Sequence, residues 1–197
     1  MRSGGLTDGT WRFGDPVTIT GVTSTNGPLT VLFVCTANIC RSAYAHRRAE
    51  QMVGGGARVI SAGTHAREGQ PMDLLMADEI TRRGGNPGGF TSRPLTLEQA
   101  KTADLILTAE AAHRSWILED WPYLLARTFT IGQFASQLDR VTSETGADVI
   151  DEVHALRSRA SGNDDVADPY RRGPEAAAAC AKQVDTLLSV VLPRLVP

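Results

Sequence analysis

An α/β fold of three layers, a four-stranded parallel sheet with helices on both faces, is what the sequence predicts. Short runs of β-branched and aromatic residues alternate with longer amphipathic stretches along most of the chain. The first of these runs, Thr30–Val34, is apolar without interruption, the mark of a strand buried on both faces. Strands that alternate with helices require right-handed crossovers and hence a parallel sheet.

The elements come in this order. After Thr30–Val34 comes a helix with Ala45, Ala49, Met52 and Val53 on one face and His46, Arg47, Glu50 and Gln51 on the other, stopped at Gly54-Gly55-Gly56. Ala57–Ser61 reads as the second strand and Met72–Arg83 as the second helix, ending at Gly84-Gly85. Leu97–Lys101 is a short helix capped by Thr96, with Glu98 in its first turn. Asp104–Leu107 is the third strand, Glu110–Glu119 a helix and Thr128–Ile131 the fourth strand. Residues 133 to 160 are mostly helical in composition. The last helix begins near Pro174-Glu175, and its apolar positions 177, 181, 184, 188, 191 and 195 step by four and three. Residues 1–28 are rich in Gly, Pro, Ser and Thr and read as a partly ordered extension, with Val17-Thr18-Ile19-Thr20 as a short edge strand; residues 29–197 form the domain.

Composition narrows the function classes. The 197 residues are 42% hydrophobic, enough for one domain with its own core. Twenty basic residues against 22 acidic ones leave a net charge of −2, so nothing advertises nucleic acid or an anionic membrane. No apolar stretch approaches the ~20 residues a membrane span needs. The polar start Met1-Arg2-Ser3-Gly4-Gly5 lacks the hydrophobic centre of a signal peptide, and three cysteines are no disulfide scaffold. The expectation is a cytoplasmic protein without membrane insertion.

Ligands of open parallel sheets sit beyond the carboxyl ends of the strands. There the first strand runs into Cys35-Thr36-Ala37-Asn38-Ile39-Cys40-Arg41-Ser42, followed at once by a helix. Five residues between a Cys and an Arg can wrap one tetrahedral anion, with amides pointing inward and a helix N-terminus beneath. Amides, helix dipole and guanidinium all favour a thiolate at the bottom of the ring. Arg41 adds a planar fork for two phosphoryl oxygens, and Asn38 tolerates the left-handed conformation of a loop that doubles back. A leaving oxygen also needs a proton, and Asp168-Pro169-Tyr170 offers a carboxyl for it; by itself Asp-Pro is a common turn dipeptide.

Val31–His46 together with the late Asp-Pro-Tyr resembles the low-molecular-weight protein-tyrosine-phosphatase family. Ser61-Ala62-Gly63-Thr64, Gly69, Asp73 and Ala103–Thr108 match its bacterial branch, over roughly residues 29 to 197. The resemblance implies a cysteine-dependent phosphomonoester hydrolase that needs neither metal nor cofactor. In it Cys35 is the nucleophile, Arg41 the transition-state clamp and Asp168 the general acid. Thr36, Ala37, Asn38, Ile39 and Cys40 line the loop, and Ser42 hydrogen-bonds the sulfur. Ile39 and Tyr170 wall a slot for a flat phenyl ring; arginine-phosphatase relatives usually carry Thr at the Ile39 position. Cys40 becomes a reversible disulfide partner of Cys35, with plain packing as the equal alternative, and Cys180 a core residue. The implied partner is a phosphotyrosine protein, such as a bacterial tyrosine kinase or a polysaccharide-synthesis enzyme.

The sequence departs from the family at Ala37 for Gly, Ala43 for Pro and His46 for Glu. Arg67 stands where a large apolar wall is usual and is expected to favour acidic residues beside the phosphorylated one. Two other functions compete: arsenate reduction coupled to thiols on the same loop, and phosphate binding without catalysis. Among the remaining residues, His113 and His154 read as surface groups, and Trp116 and Trp121 as packing between a helix and its following loop.

Overall fold

The computed structural model describes residues 27–157 and 164–196. The expected extension, with its Val17–Thr20 strand, therefore lies almost wholly outside the described residues, as does the end of the 133–160 stretch.

Four strands form one parallel sheet in the order β2-β1-β3-β4: β1 Thr30–Cys35, β2 Arg58–Gly63, β3 Leu105–Thr108 and β4 Thr128–Thr130. The helices are α1 Arg41–Val53, α2 Leu74–Arg82, α3 Leu97–Thr102, α4 Ala111–Asp120, α5 Ile131–Gln137, α6 Ala147–Ala155 and α7 Gly173–Val191. Every predicted element between 29 and 131 is present, with ends displaced by one or two residues. β1 and β2 run further than expected, through Cys35 and Gly63.

Period-two alternation divides the core. Val31, Phe33 and Cys35 face a large cluster built with α1, α2, α5, α6 and α7, whereas Leu32 and Val34 face a smaller one with Leu95, Ala100 and Ile117 from the α3 and α4 side. The sheet is thus apolar on both sides, which is why β1 shows no polar alternation. The predicted face of α7 is buried from Ala177 to Val191, and Cys180 lies in it at 1% exposure. In α1, Ala45 and Ala49 are buried as expected, whereas Met52 stays largely exposed at the last turn. α7 is tied to its neighbours through Asp185, which accepts from the Tyr44 hydroxyl at 3.0 Å, Arg48 at 2.9 Å and Arg83 at 2.6 Å.

The stretch after β4 turns out to close the large cluster. Phe134, Leu138, Val149, Ile150 and Val153 all join it. Arg194 donates to the carbonyls of Leu138, Val141 and Ser143, fastening the α5–α6 connection to the last turn of the chain. Trp116 and Trp121 meet edge to face at 6.0 Å, packing α4 against its C-terminal loop, as expected. Among the described residues no helix is long and apolar enough to cross a membrane.

Candidate active site

The loop from Thr36 to Cys40 joins the end of β1 to the start of α1. Its shape depends on its neighbour in β2. A Cβ on Gly63 would stand 2.5 Å from the Thr36 carbonyl oxygen and 2.9 Å from the Asn38 nitrogen, so only glycine lets the loop turn there. Asn38 adopts φ 54°, the left-handed conformation expected of it, and among the described residues Ala37 has no positive φ. Asn38 is fully buried and holds the loop from three sides. Its Nδ2 donates to Ser42 Oγ at 2.9 Å and Ser61 Oγ at 3.0 Å, and its Oδ1 accepts from the Arg93 amide at 2.9 Å.

The loop carbonyls are tied outward. Cys35 O accepts from Thr64 N at 2.9 Å, Thr36 O from His65 N at 2.8 Å, Ile39 O from Asp73 N at 2.9 Å and Cys40 O from Tyr44 N at 2.8 Å. With the carbonyls turned out, the N–H groups of residues 36–40 have no hydrogen-bond partner among the described residues. That is the arrangement of an anion nest, at the N-terminus of a 13-residue helix.

Cys35 sits at the bottom, 3% exposed, with Ser42 Oγ 2.9 Å from its sulfur. Because Asn38 already donates to the Ser42 oxygen, the serine's own proton is left for the sulfur or for the Ala62 carbonyl at 3.4 Å. Arg41, also 3% exposed, is anchored through one end of its fork. Its Nη1 donates to Glu110 Oε1 and to the Val166 carbonyl at 3.2 Å, while Nη2 lies 3.4 Å from Asp168 Oδ2 and the buried Nε has no partner. Burial works against its charge, but the neighbouring Cys35 and Glu110 outweigh it and raise its pKa. The Nε–Nη2 edge of an ionised, fixed guanidinium, held otherwise among the described residues only by the 3.4 Å contact of Nη2 with Asp168, has the geometry to take two oxygens of one phosphoryl group.

The acid segment is laced to the turn after β3. Val166 N donates to Ala109 O at 2.8 Å, and Asp165 accepts from the Ala111 amide at 2.8 Å. Asp168 is half-buried, and Tyr170 projects beside it, 43% exposed, with Arg171 stacked over its ring at 5.1 Å. Cys35, Thr36, Ala37, Ile39, Cys40, Arg41, Asp168 and Tyr170 line one cleft of about 230 Å³. Asn38 and Ser42 lie beneath its floor. Arg67 is exposed and is not among the lining residues; its carbonyl accepts from Ser92. All three cysteines are free, with Cys40 buried and its pKa raised by burial and by Asp73.

Two groups escaped the reading of the sequence. One is Glu110, which anchors the clamp. The other is His113, expected on the surface but found 5% exposed, with Nε2 2.8 Å from Thr36 Oγ1. The first turn of α4 leans on the loop after β1, so its histidine points inward. The rule that led to the loop after β1, ligands beyond strand carboxyl ends, applies equally after β3 and would have found both.

Burial, and next the positive charge of Arg41, push the His113 pKa from 6.5 down to about 4. The unfolded chain therefore binds a proton there that the folded one refuses, so stability is full above about pH 6.5 and falls as the pH drops towards about 4. Relative to wild type, His113→Gln should lose about 2–3 kcal/mol less stability between about pH 7 and pH 4. Urea unfolding at the two pH values measures this, and equal losses would show that His113 titrates normally.

The family model described as low molecular weight phosphotyrosine protein phosphatase matches residues 30–151, a span that holds the loop but stops short of Asp168. The chain is 33% identical over 132 residues to the low molecular weight protein-tyrosine-phosphatase Etp of Escherichia coli K12, covering 66% of this chain and 88% of that one. It is 32% identical over 130 residues to a protein-arginine-phosphatase of Geobacillus stearothermophilus, with 66% and 87% covered. The YwlE arginine phosphatase structure from the same organism superposes with a TM-score of 0.68 at 27% identity, over 83% of this chain and 90% of that one.

Proposed function

The chain belongs to the low molecular weight phosphotyrosine protein phosphatase family, and on that premise we propose that it is a protein-tyrosine phosphatase working through Cys35, Arg41 and Asp168. One observation carries the reading. A buried sulfur, a ring of free amides and a fixed guanidinium converge on one small cleft, where the Asp168 carboxyl lies 3.4 Å from Arg41 Nη2.

Cys35 thiolate attacks phosphorus in line with the departing oxygen, forming the S–P bond as the P–O bond breaks. The amides of residues 36–40 and the Nε–Nη2 edge of Arg41 take the charge on the equatorial oxygens. Asp168 gives its proton to the leaving phenolate, then takes one from the water that splits the phosphocysteine. Thr36 stays fixed through its bond to His113, and Arg41 through Glu110.

Ile39 and Tyr170 supply apolar walls suited to a flat ring, which favours phosphotyrosine over phosphoarginine. A phosphotyrosine protein such as a tyrosine kinase or a polysaccharide-synthesis enzyme is the proposed partner. Free thiols at the reaction centre suit a reducing compartment, the cytoplasm. Thiol-coupled arsenate reduction is disfavoured because residues 108 to 130 hold no cysteine and the third thiol, Cys180, is buried in the core face of α7.

Asp168→Asn tests the acid. Turnover should fall about 10²–10³-fold on aryl phosphates with basic leaving groups and little on those with acidic ones. A uniform loss across leaving groups would remove Asp168 from the role. Competition between phosphotyrosine and phosphoarginine peptides, with acidic or neutral neighbours, reads the slot walls and Arg67 together.

A further inference from the structure

A cleft larger than the one at Cys35 lies elsewhere. About 560 Å³ in volume, it opens along the outer edge of β2, between α1 and α3. Three arginines line it, Arg47, Arg58 and Arg93, against the single carboxylate of Glu98. Among the described residues no carboxylate pairs with Arg58 or Arg93. Arg47 pairs with Glu50 at 2.9 Å and donates to the Gly88 carbonyl at 2.8 Å, yet its Nε is buried without a hydrogen-bond partner. His46, at the back, has its pKa lowered by burial first and then by the positive charges of Arg47 and Arg93, with Glu50 opposing. The cleft is a concave space with more cationic than anionic groups on its walls, Arg58 and Arg93 having no carboxylate partner among the described residues.

We propose that this cleft is a second anion site, taking a small molecule that carries a chain of phosphates. Guanidinium forks match phosphoryl oxygens in geometry as well as charge. The hydroxyls of Thr91 and Thr96 and the amide of Gln99 add donors around the same space. Its volume is that of small-molecule sites, about 300–1,000 Å³.

The position of the cleft gives the site a second property. His46 Nδ1 lies 3.0 Å from Ser61 Oγ, and Ser61 accepts from Asn38, the residue that shapes the catalytic loop. Arg93, whose side chain lines the cleft, donates its own amide to the same Asn38. Whatever fills the cleft therefore bears on Asn38 from two directions. The site itself does not rest on the reaction at Cys35.

Inorganic triphosphate is the probe, titrated into the full chain with its catalytic loop already filled by orthovanadate and followed by calorimetry and amide NMR. One further binding event per chain is expected, with shifts at Phe90, Thr91, Arg93 and the Asn38 side-chain amide. Arg58→Gln and Arg93→Gln should each weaken it about tenfold, and Arg140→Gln, a charge removed elsewhere, should not. Equal affinity for ATP would assign recognition to the phosphate chain alone, and tighter binding of ATP would assign it to a nucleotide. Absence of the event, equal weakening by Arg140→Gln, or binding of a glutamate-rich peptide in place of triphosphate would overturn the site. Binding that leaves the Asn38 amide unmoved would overturn its connection to the loop.

Discussion

Cys35→Ser is expected to lower kcat on an aryl phosphate by about 10⁵-fold or more, the largest effect of any single substitution in the chain. The loss is chemical, because a serine hydroxyl has no neighbouring base to take its proton. What faces Cys35 Sγ is the Ser42 hydroxyl at 2.9 Å, a group suited to donate to a sulfur anion and unsuited to deprotonate an alcohol. The amides and Arg41 remain, so the variant should still bind vanadate or phosphate. Isothermal titration alongside stopped-assay kinetics separates the two properties. Residual turnover within about tenfold of wild type would mean that the attacking group is elsewhere.

Arg41→Lys comes second, with kcat falling about 10³-fold while the net charge of the site is unchanged. Arginine here does two jobs at once. Its Nη1 end is fixed by Glu110 and the Val166 carbonyl, and its Nε–Nη2 edge, touched among the described residues only by Asp168 at Nη2, is the edge proposed for phosphoryl oxygens. An ammonium group can satisfy the anchor or reach the substrate but lacks a second face to do the other. Circular dichroism should show the variant folded, since the anchor also needs only a cation. A loss confined to KM would show that Arg41 binds the ground state and the transition state alike.

Much of this site was legible from sequence because it is local. Cys35 to Ser42 is one turn between one strand and one helix, so residue types and spacing describe it without any knowledge of what lies across the sheet. The conformation of Asn38 could be anticipated for the same reason. Glu110, His113 and Ser61 reach the loop from two other strand ends, and no spacing along the chain connects them to Cys35. Asp168 is a candidate from the chemistry, but its dipeptide is an ordinary turn and only the family resemblance supports it over others. The stretch from α5 to α6 gave no strong period because its helices are short, and their burial against β4 and α7 is a tertiary outcome. Arg67 was assigned a place by its position in the sequence, and the chain carries it outside the lining of the cleft.

Cys35 also closes a row. It comes after Val31 and Phe33 on the same side of β1, so the sulfur points where the core residues point. Removing or adding a single residue within that strand would rotate everything beyond the change by half a pleat. The thiol would then exit on the α3 and α4 side, with Thr36 after a deletion, or Val34 after an insertion, in its place. The register of one six-residue strand thus decides whether the proposed nucleophile reaches the cleft.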